Sequence, residues 1–238
     1  MPNNIELSVV ILCYKSGKKI IPFANKAKDI ISNITKSFEI ILVINYFDIQ
    51  SDETINYVEQ LSQSDSVFKM ISKPKKGMMG WDVKSGLEAA NGKFLCFIDG
   101  DGQFPLESIG TCYSHIRNGQ YGLVKTYRSK RNDGFKREFI SILYNLIFSL
   151  LFPRVSAKDI NSKPKMFHRE VYELLNLEYD DWFIDAEIMI KIARLKINFF
   201  EFPVEFLSLE DRKSFVNMRT VFEFMKNLFI FRLRGDKG

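Results

Sequence analysis

The sequence predicts an α/β protein built on a mostly parallel sheet with helices packed on both of its faces. Three observations carry that expectation. Short, apolar, β-branched runs alternate with stretches whose apolar residues recur at helical spacing over roughly the first hundred residues. The breaks between these runs fall on Gly, Asn, Asp and Ser, which are turn residues. A β-α-β-α-β-α-β order is the pattern that parallel strands joined by crossover helices produce.

The elements follow in order. Ile5 to Leu12 is a β-branched run that reads as a buried strand. Tyr14-Lys15-Ser16-Gly17 breaks it, and Lys18 to Ile34 carries helical spacing. Phe38 to Ile44 is a second buried strand. Ser51-Asp52-Glu53-Thr54 has cap chemistry and opens a helix reaching about Gln60. Val67 to Ile71 is a short third strand, Gly80 to Ala90 a helix closed by Asn91-Gly92, and Phe94 to Ile98 a fourth strand.

Composition bounds the function. A chain of 238 residues with 46% hydrophobic and 26% charged residues can bury one sizeable core and is not disordered. The formal charge of +5 suits anionic small molecules or an anionic membrane surface, and dense basic runs of the kind that bind nucleic acid are missing. Cys13, Cys96 and Cys112 show no paired spacing, and two of them sit in apolar strands, so buried free thiols are expected. The N-terminus lacks the pattern of a signal peptide. The longest charge-free stretch, Phe139 to Pro153, is shorter than the roughly 20 residues that span a bilayer.

The most informative segment is Asp99-Gly100-Asp101-Gly102-Gln103, directly after the fourth strand. In parallel sheets ligands bind beyond the carboxyl ends of the strands, and this acidic turn lies at such an end. Two carboxylates this close repel unless a cation or strong donors sit between them. Mg²⁺ or Mn²⁺ suits such oxygen ligands, with a substrate phosphate completing the octahedron and Gln103 adding a carbonyl oxygen. The bland alternative is a plain Asp/Gly turn.

The stretch from Ser8 to Pro105 resembles the nucleotide-binding half of family 2 inverting glycosyltransferases, which have the GT-A fold. Within them it is most similar to the dolichol-phosphate mannosyltransferase and polyprenyl-phosphate glycosyltransferase type, whose acidic motif matches Asp99-Gly100-Asp101-Gly102-Gln103-Phe104-Pro105. The resemblance implies that Asp101 and Gln103 bind the metal and that Asp99 supports them at the nucleotide end. It also places Tyr14 beside the base, though the family's Pro and acidic residue are absent from Leu12-Cys13-Tyr14-Lys15-Ser16. Asn45 or Asp48 must replace the Asp that usually reads base or ribose. In Met78-Met79-Gly80-Trp81-Asp82-Val83-Lys84-Ser85-Gly86 the chain keeps Gly80, a basic residue at Lys84 and Gly86. Those two glycines fit close packing equally well, and Lys73, Lys75 and Lys76 fit a solvated basic face.

Further along, Arg128 and Arg131, followed by Arg137, match the family's arginines and are suited to clamping an acceptor phosphate. Asp159 to Phe167 matches a segment of the acceptor side, with Lys163 in place and the family's glycine missing. Asp185 and Glu187 match an Asp-x-Glu motif near the acceptor, where a base is needed only if the acceptor is a hydroxyl. At a helix start they can equally serve the macrodipole. Arg212 and Lys213 are candidates for the leaving diphosphate.

Two apolar helices complete the reading. Phe139 to Phe152 carries a narrow polar stripe of Ser141, Asn145 and Ser149, and Ser214 to Arg234 is apolar and basic. Such helices suit the membrane interface, with the core or a homo-oligomer contact as the competing destination. The expectation is therefore a GT-A domain over residues 1–212, with a nucleotide-sugar half at 1–105 and an acceptor half at 106–212. Residues 213–238 form a C-terminal amphipathic helix. The chain is expected on the cytoplasmic face of a membrane, moving a hexose from a UDP- or GDP-sugar to a polyprenyl phosphate. The rivals are a saccharide hydroxyl as acceptor, in surface-polysaccharide or lipopolysaccharide assembly, a nucleotidyltransferase, and a non-catalytic sugar- or lipid-binding module.

Overall fold

The computed structural model describes residues 5–131, 146–207 and 218–233; side chains at 51, 130, 131 and 218–225 lie outside that description. The strands are β1 (Leu7–Leu12), β2 (Phe38–Val43), β3 (Phe68–Ile71), β4 (Phe94–Asp99), β5 (Leu123–Arg131), β6 (Lys165–His168) and β7 (Phe199–Phe206). They form one seven-stranded sheet in the order β3-β2-β1-β4-β6-β5-β7. β1 pairs in parallel with both β2 and β4, and β2 with β3, as the β-α-β order predicts. β6 runs antiparallel between β4 and β5, and β7 pairs in parallel with β5. Pro203 sits in β7, an edge strand, where its missing N–H leaves no central ladder bond unmade.

The helices are α1 (Ile20–Ser32), α2 (Thr54–Ser64), α3 (Met79–Ala89), α4 (Ser108–Ile116), α5 (146–151), α6 (Arg169–Leu175), α7 (Ile184–Arg194) and α8 (Met218–Leu233). Strand alternation divides the core into two layers. Val9, Ile11, Ile40, Leu42, Cys96 and Val124 bury one face of the sheet against α1, α2 and α4. Val10, Ile41, Leu95, Phe97 and Phe167 bury the other against α3 and α7. Gly86 of α3 lies so close to this second face that an added Cβ would stand 2.3 Å from Val10 Cγ1 and 2.8 Å from Val43 Cγ2. It is a packing glycine.

The apolar helices are shared between core and solvent. Phe148 and Phe152 of the 146–152 segment join the second core, as do Leu228 and Phe231 of α8. The Phe231 ring lies 5.4 Å from Phe183 and 6.3 Å from Phe152, centroid to centroid. The opposite sides leave Leu146, Leu150, Phe229 and Leu233 exposed. One stripe of each helix therefore goes to the core, the destination that competed with the membrane interface. No helix among the described residues is long and apolar enough to cross a membrane.

Candidate active site

The carboxyl ends of β1, β2 and β4 lie level, with Leu12 opposite Val43 on one side and Asp99 on the other. Three loops leave this edge together. The first, Tyr14 to Gly17, is held by the loop after β2: Asp52 Oδ2 accepts from the Lys15 N–H at 2.7 Å, and Thr54 Oγ1 accepts from the Gly17 N–H at 2.8 Å. Lys15 and Gly17 adopt left-handed backbone, with φ of 55° and 60°. That conformation is uncommon for lysine and persists where neighbours hold it. Asp52, read from sequence only as a helix cap, is thus what shapes the first loop. The Lys75 ammonium lies over the Tyr14 ring, 4.1 Å from its centroid, which puts Tyr14 on a cationic rim.

Asn45 and Asp48 part company. Asn45 is fully buried. Its amide donates to Asp82 at 2.9 Å and Ser85 at 3.2 Å, and its carbonyl accepts from the Lys73 N–H at 2.9 Å. Both amide hydrogens are used, so Asn45 braces β2 against α3 instead of facing a ligand. Asp48 is exposed and caps a short turn, accepting from the Gln50 N–H at 3.1 Å. Burial raises the Asp82 carboxyl above its ordinary range, with Lys75 opposing.

Gly80 and Lys84 are both engaged by the loop before α7. The N–H groups of Met78, Gly80 and Trp81 donate to the carbonyls of Asp180, Asp181 and Asp180 at 2.7, 3.0 and 2.9 Å. The start of α3 is therefore capped by the chain itself and not open to a phosphate. A Cβ on Gly80 would meet the Tyr179 carbonyl oxygen at 2.5 Å. Lys84 binds the same loop, with Asp180 Oδ1 at 2.7 Å.

The acidic turn sits at the centre of the edge. Gly100 donates to the Leu12 carbonyl at 2.9 Å, and a Cβ there would stand 2.8 Å from that oxygen. Asp101 accepts from the Gln103 N–H at 3.0 Å, an Asx turn that Gly102 completes with a φ of 78°. Gln103 joins the turn to the end of β7 through Leu207, whose N–H donates to its carbonyl at 3.0 Å. Asp99 and Asp101 are partly exposed at the cleft. Two carboxylates and an amide oxygen are a hard donor set. Among the described residues no group of three or more His, Cys, Asp or Glu converges into a cage. Such a set fits a cation that takes one or two carboxylates and completes its sphere with substrate phosphate and water.

Beside Asp99 stands a wall of buried charge, contributed by β5, β6, α7 and the loop before β6. Lys125, Lys165 and Phe97 are cross-strand neighbours in register, so all three point to the α7 face. Lys163 Nζ lies 3.3 Å from Asp99 Oδ2 and 3.2 Å from Asp185 Oδ2. Lys165 binds the other oxygen of Asp185 and donates to the Ser162 carbonyl at 3.0 Å. Lys125 donates to the carbonyl of Asp159 at 2.6 Å and to Glu201 at 3.2 Å. Burial pulls Lys165 down to about 8 despite Asp185, and it lowers Lys125 as well. Burial also acts to lower Lys163, but Asp185 and Asp99 together outweigh it and the ammonium is held above its ordinary range. Lys125 and Lys165 went unread in the sequence, where a lysine in a strand resembles any surface lysine.

Arg128 meets Asp159 through a two-point contact, Nε to Oδ2 at 2.6 Å and Nη2 to Oδ1 at 2.9 Å. Burial opposes ionisation of Asp159, yet the Arg128 guanidinium holds its carboxyl well below the usual range. Arg131 closes β5, and its side chain lies outside the described residues, as do Arg137, Arg212 and Lys213.

Asp185 and Glu187 do not form a pair. Residues two apart on a helix point roughly 200° apart. Asp185 faces the lysines, whereas Glu187 turns to the preceding loop, accepting from the Glu178 and Tyr179 N–H groups at 2.7 and 3.0 Å and binding Lys191 at 2.8 Å. Glu187 is fully buried there. The structure thus joins Asp99, Lys163 and Asp185 beside Asp101 and Gln103, pairs Arg128 with Asp159, and engages Asn45, Gly80, Lys84 and Glu187 in other contacts.

Comparison with known proteins agrees with this architecture. Glucosyl-3-phosphoglycerate synthase from Mycobacterium tuberculosis, solved with Mn²⁺, UDP and glucosyl-3-phosphoglycerate, shares the fold with a TM-score of 0.72 at 16% identity, over 98% of this chain and 82% of that one. Mannosyltransferase PcManGT from Pyrobaculum calidifontis, solved with GDP-Man and Mn²⁺, superposes with a TM-score of 0.67 at 16% identity, over 100% of this chain and 66% of that one. In sequence, glycosyltransferase AglD of Haloferax volcanii is 25% identical over 217 residues, which is 88% of this chain but 34% of that relative's length. The glycosyl transferase family 2 model matches residues 8–176, well over half of the chain, and the chain belongs to that family.

Proposed function

We propose that the protein moves a hexose, with inversion, from a UDP- or GDP-sugar to an acceptor that is already ionised, a polyprenyl phosphate. The observation that carries the choice of acceptor is Asp185. Both of its oxygens are held by buried lysines, Lys163 and Lys165. With both oxygens engaged by lysines, Asp185 has none left to take the proton of a hydroxyl acceptor, which needs a base. A phosphate oxygen does not.

In this reading Asp101, Gln103 and Asp99 hold a divalent cation, Mg²⁺ or Mn²⁺, which supplies neutralisation of the departing diphosphate. The solved relatives named above support it, since their complexes contain Mn²⁺ with UDP or GDP-Man. Tyr14 and the loop pinned by Asp52 border the nucleotide. Arg128, steadied by Asp159, and Arg131 add positive charge on the acceptor side, with Arg212 and Lys213 assigned to the diphosphate. The acceptor oxygen approaches the anomeric carbon opposite the breaking bond, which inverts the configuration. The exposed Leu146, Leu150, Phe229 and Leu233, with exposed Lys226 and Arg232, support contact with an anionic membrane surface where such an acceptor resides.

The test is incubation with Mn²⁺ and a panel of nucleotide-sugars, offering undecaprenyl or dolichyl phosphate in one arm and free saccharides in the other. Transfer to the lipid phosphate alone is expected. Transfer to saccharides alone overturns the acceptor, and absence of transfer or donor hydrolysis overturns the enzyme reading. Failure to sediment with anionic vesicles overturns the membrane contact.

A further inference from the structure

Lys163 joins the two sides of the site. Its ammonium is shared between Asp99 at 3.3 Å and Asp185 at 3.2 Å, and its side chain is almost wholly buried. Lys165 holds the far oxygen of Asp185, so a chain of alternating charges runs Lys165–Asp185–Lys163–Asp99. It ends on the acidic turn, two residues from Asp101. A cation entering between Asp99 and Asp101 therefore meets a fixed positive charge already bound to one of its ligands. Repulsion at this range in a partly buried site is little screened by water or salt. A diphosphate changes the balance, because its oxygens are negative charge that can face both cations at once.

We propose that Lys163 is a positioning residue, a built-in counter-cation that makes capture of the divalent ion at Asp99 depend on the diphosphate of the donor. The inference rests on the nucleotide-sugar reading above. Without donor, Lys163 offsets the charge of Asp99 and the ion alone is held weakly. When diphosphate and ion arrive together, Lys163 remains anchored on Asp185 and keeps that carboxylate in place. The same lysine thereby links the donor edge to the acceptor wall.

The experiment measures Mn²⁺ binding to the full chain from the electron paramagnetic resonance signal of the free ion, with and without UDP or GDP. In the wild type, nucleotide is expected to tighten Mn²⁺ about tenfold or more. Lys163→Met should tighten Mn²⁺ alone by about tenfold, the effect of roughly 1.4 kcal/mol, and shrink the gain from nucleotide. Lys163→Arg should restore the wild-type pattern, which a purely structural lysine would not require. Asp185→Asn should shift Mn²⁺ the other way, because Lys163 is then drawn to Asp99 and a nearby negative charge is lost. A folded Lys163→Met protein that binds Mn²⁺ within twofold of wild type overturns the proposal. If that variant does not fold, unchanged or tighter Mn²⁺ binding by Asp185→Asn overturns it instead. Wild-type protein that binds neither nucleotide nor Mn²⁺ in any combination overturns the nucleotide-sugar reading itself, a result separable from the others.

Discussion

Replacing Glu187 by alanine separates structure from chemistry at the Asp-x-Glu motif. The Glu187 carboxylate, itself fully buried, accepts two backbone N–H bonds, at 2.7 and 3.0 Å, and pairs with Lys191 at 2.8 Å. Hydrogen bonds to a charged group contribute about 1.5–3 kcal/mol each, and a donor left buried without a partner costs a comparable amount. Water can enter the partly buried 178–179 loop and recover some of that, and Lys191 keeps the Asn176 carbonyl at 2.6 Å. A net loss of about 3 kcal/mol follows, which for a chain of this size lowers Tm by about 6–12 °C. The same loop supplies the carbonyls that cap α3, so the loss spreads to a neighbouring element. Thermal unfolding followed by circular dichroism measures the first effect, and transfer kinetics well below Tm measure the second. Turnover is expected to stay within about fivefold of wild type. A hundredfold loss of kcat with Tm unchanged would show that Glu187 takes part in the reaction, and the division of the motif would be wrong.

Three other outcomes follow. Gly80→Ala should lower stability by about 1–3 kcal/mol, because its Cβ meets the Tyr179 carbonyl at 2.5 Å, while nucleotide affinity measured calorimetrically in the surviving fold stays unchanged. Asp101→Ala should remove an Asx-turn bond that contributes about 1 kcal/mol, and reduce transfer by about a hundredfold or more if it holds the cation under the leaving diphosphate. Lys165 sits near 8 in the folded chain against 10.5 when unfolded, so between those values the unfolded chain binds more protons and stability gains with rising pH. Urea midpoints of wild type should therefore improve relative to Lys165→Met between pH 7.5 and 9.5, and a relative decline would contradict the lowering of that lysine by burial.

The first half of the fold was legible because each of its elements declares itself locally. β1, β2 and β4 are buried on both faces and read as continuous apolar runs, and their helices carry a 3.6-residue rhythm. The second half obeys no such local rule. β6 is four residues long, runs antiparallel between β4 and β5, and contains the lysine that pairs with Asp185. Only the tertiary arrangement makes it a strand. The acidic turn was legible for a different reason: its chemistry and its place at a strand end can both be read without knowing any contact. The assignments of Asn45, Gly80 and Glu187 diverged from the geometry because spacing cannot say what a side chain faces.

Lys125 and Lys165 show how far that limit reaches. Each alternates along its strand with residues of the first core, Val124 and Met166, so a period-two reading turns both lysines toward solvent. That reading assumes that the second face of the sheet is wet. Here α7 covers it, and a covered face allows a lysine only where carboxylates or carbonyls meet the ammonium. Asp185, Asp159 and Glu201 come from three separate elements, so the partners that permit the lysines are scattered along the chain. Replacing the set with well-packed apolar residues would serve stability at least as well. Stability alone therefore does not account for the set, and its place next to Asp99 fits charge held in position for a ligand. It supports the proposal of an anionic acceptor, and of Lys163, which bridges Asp99 and Asp185, as the residue that couples the two sides.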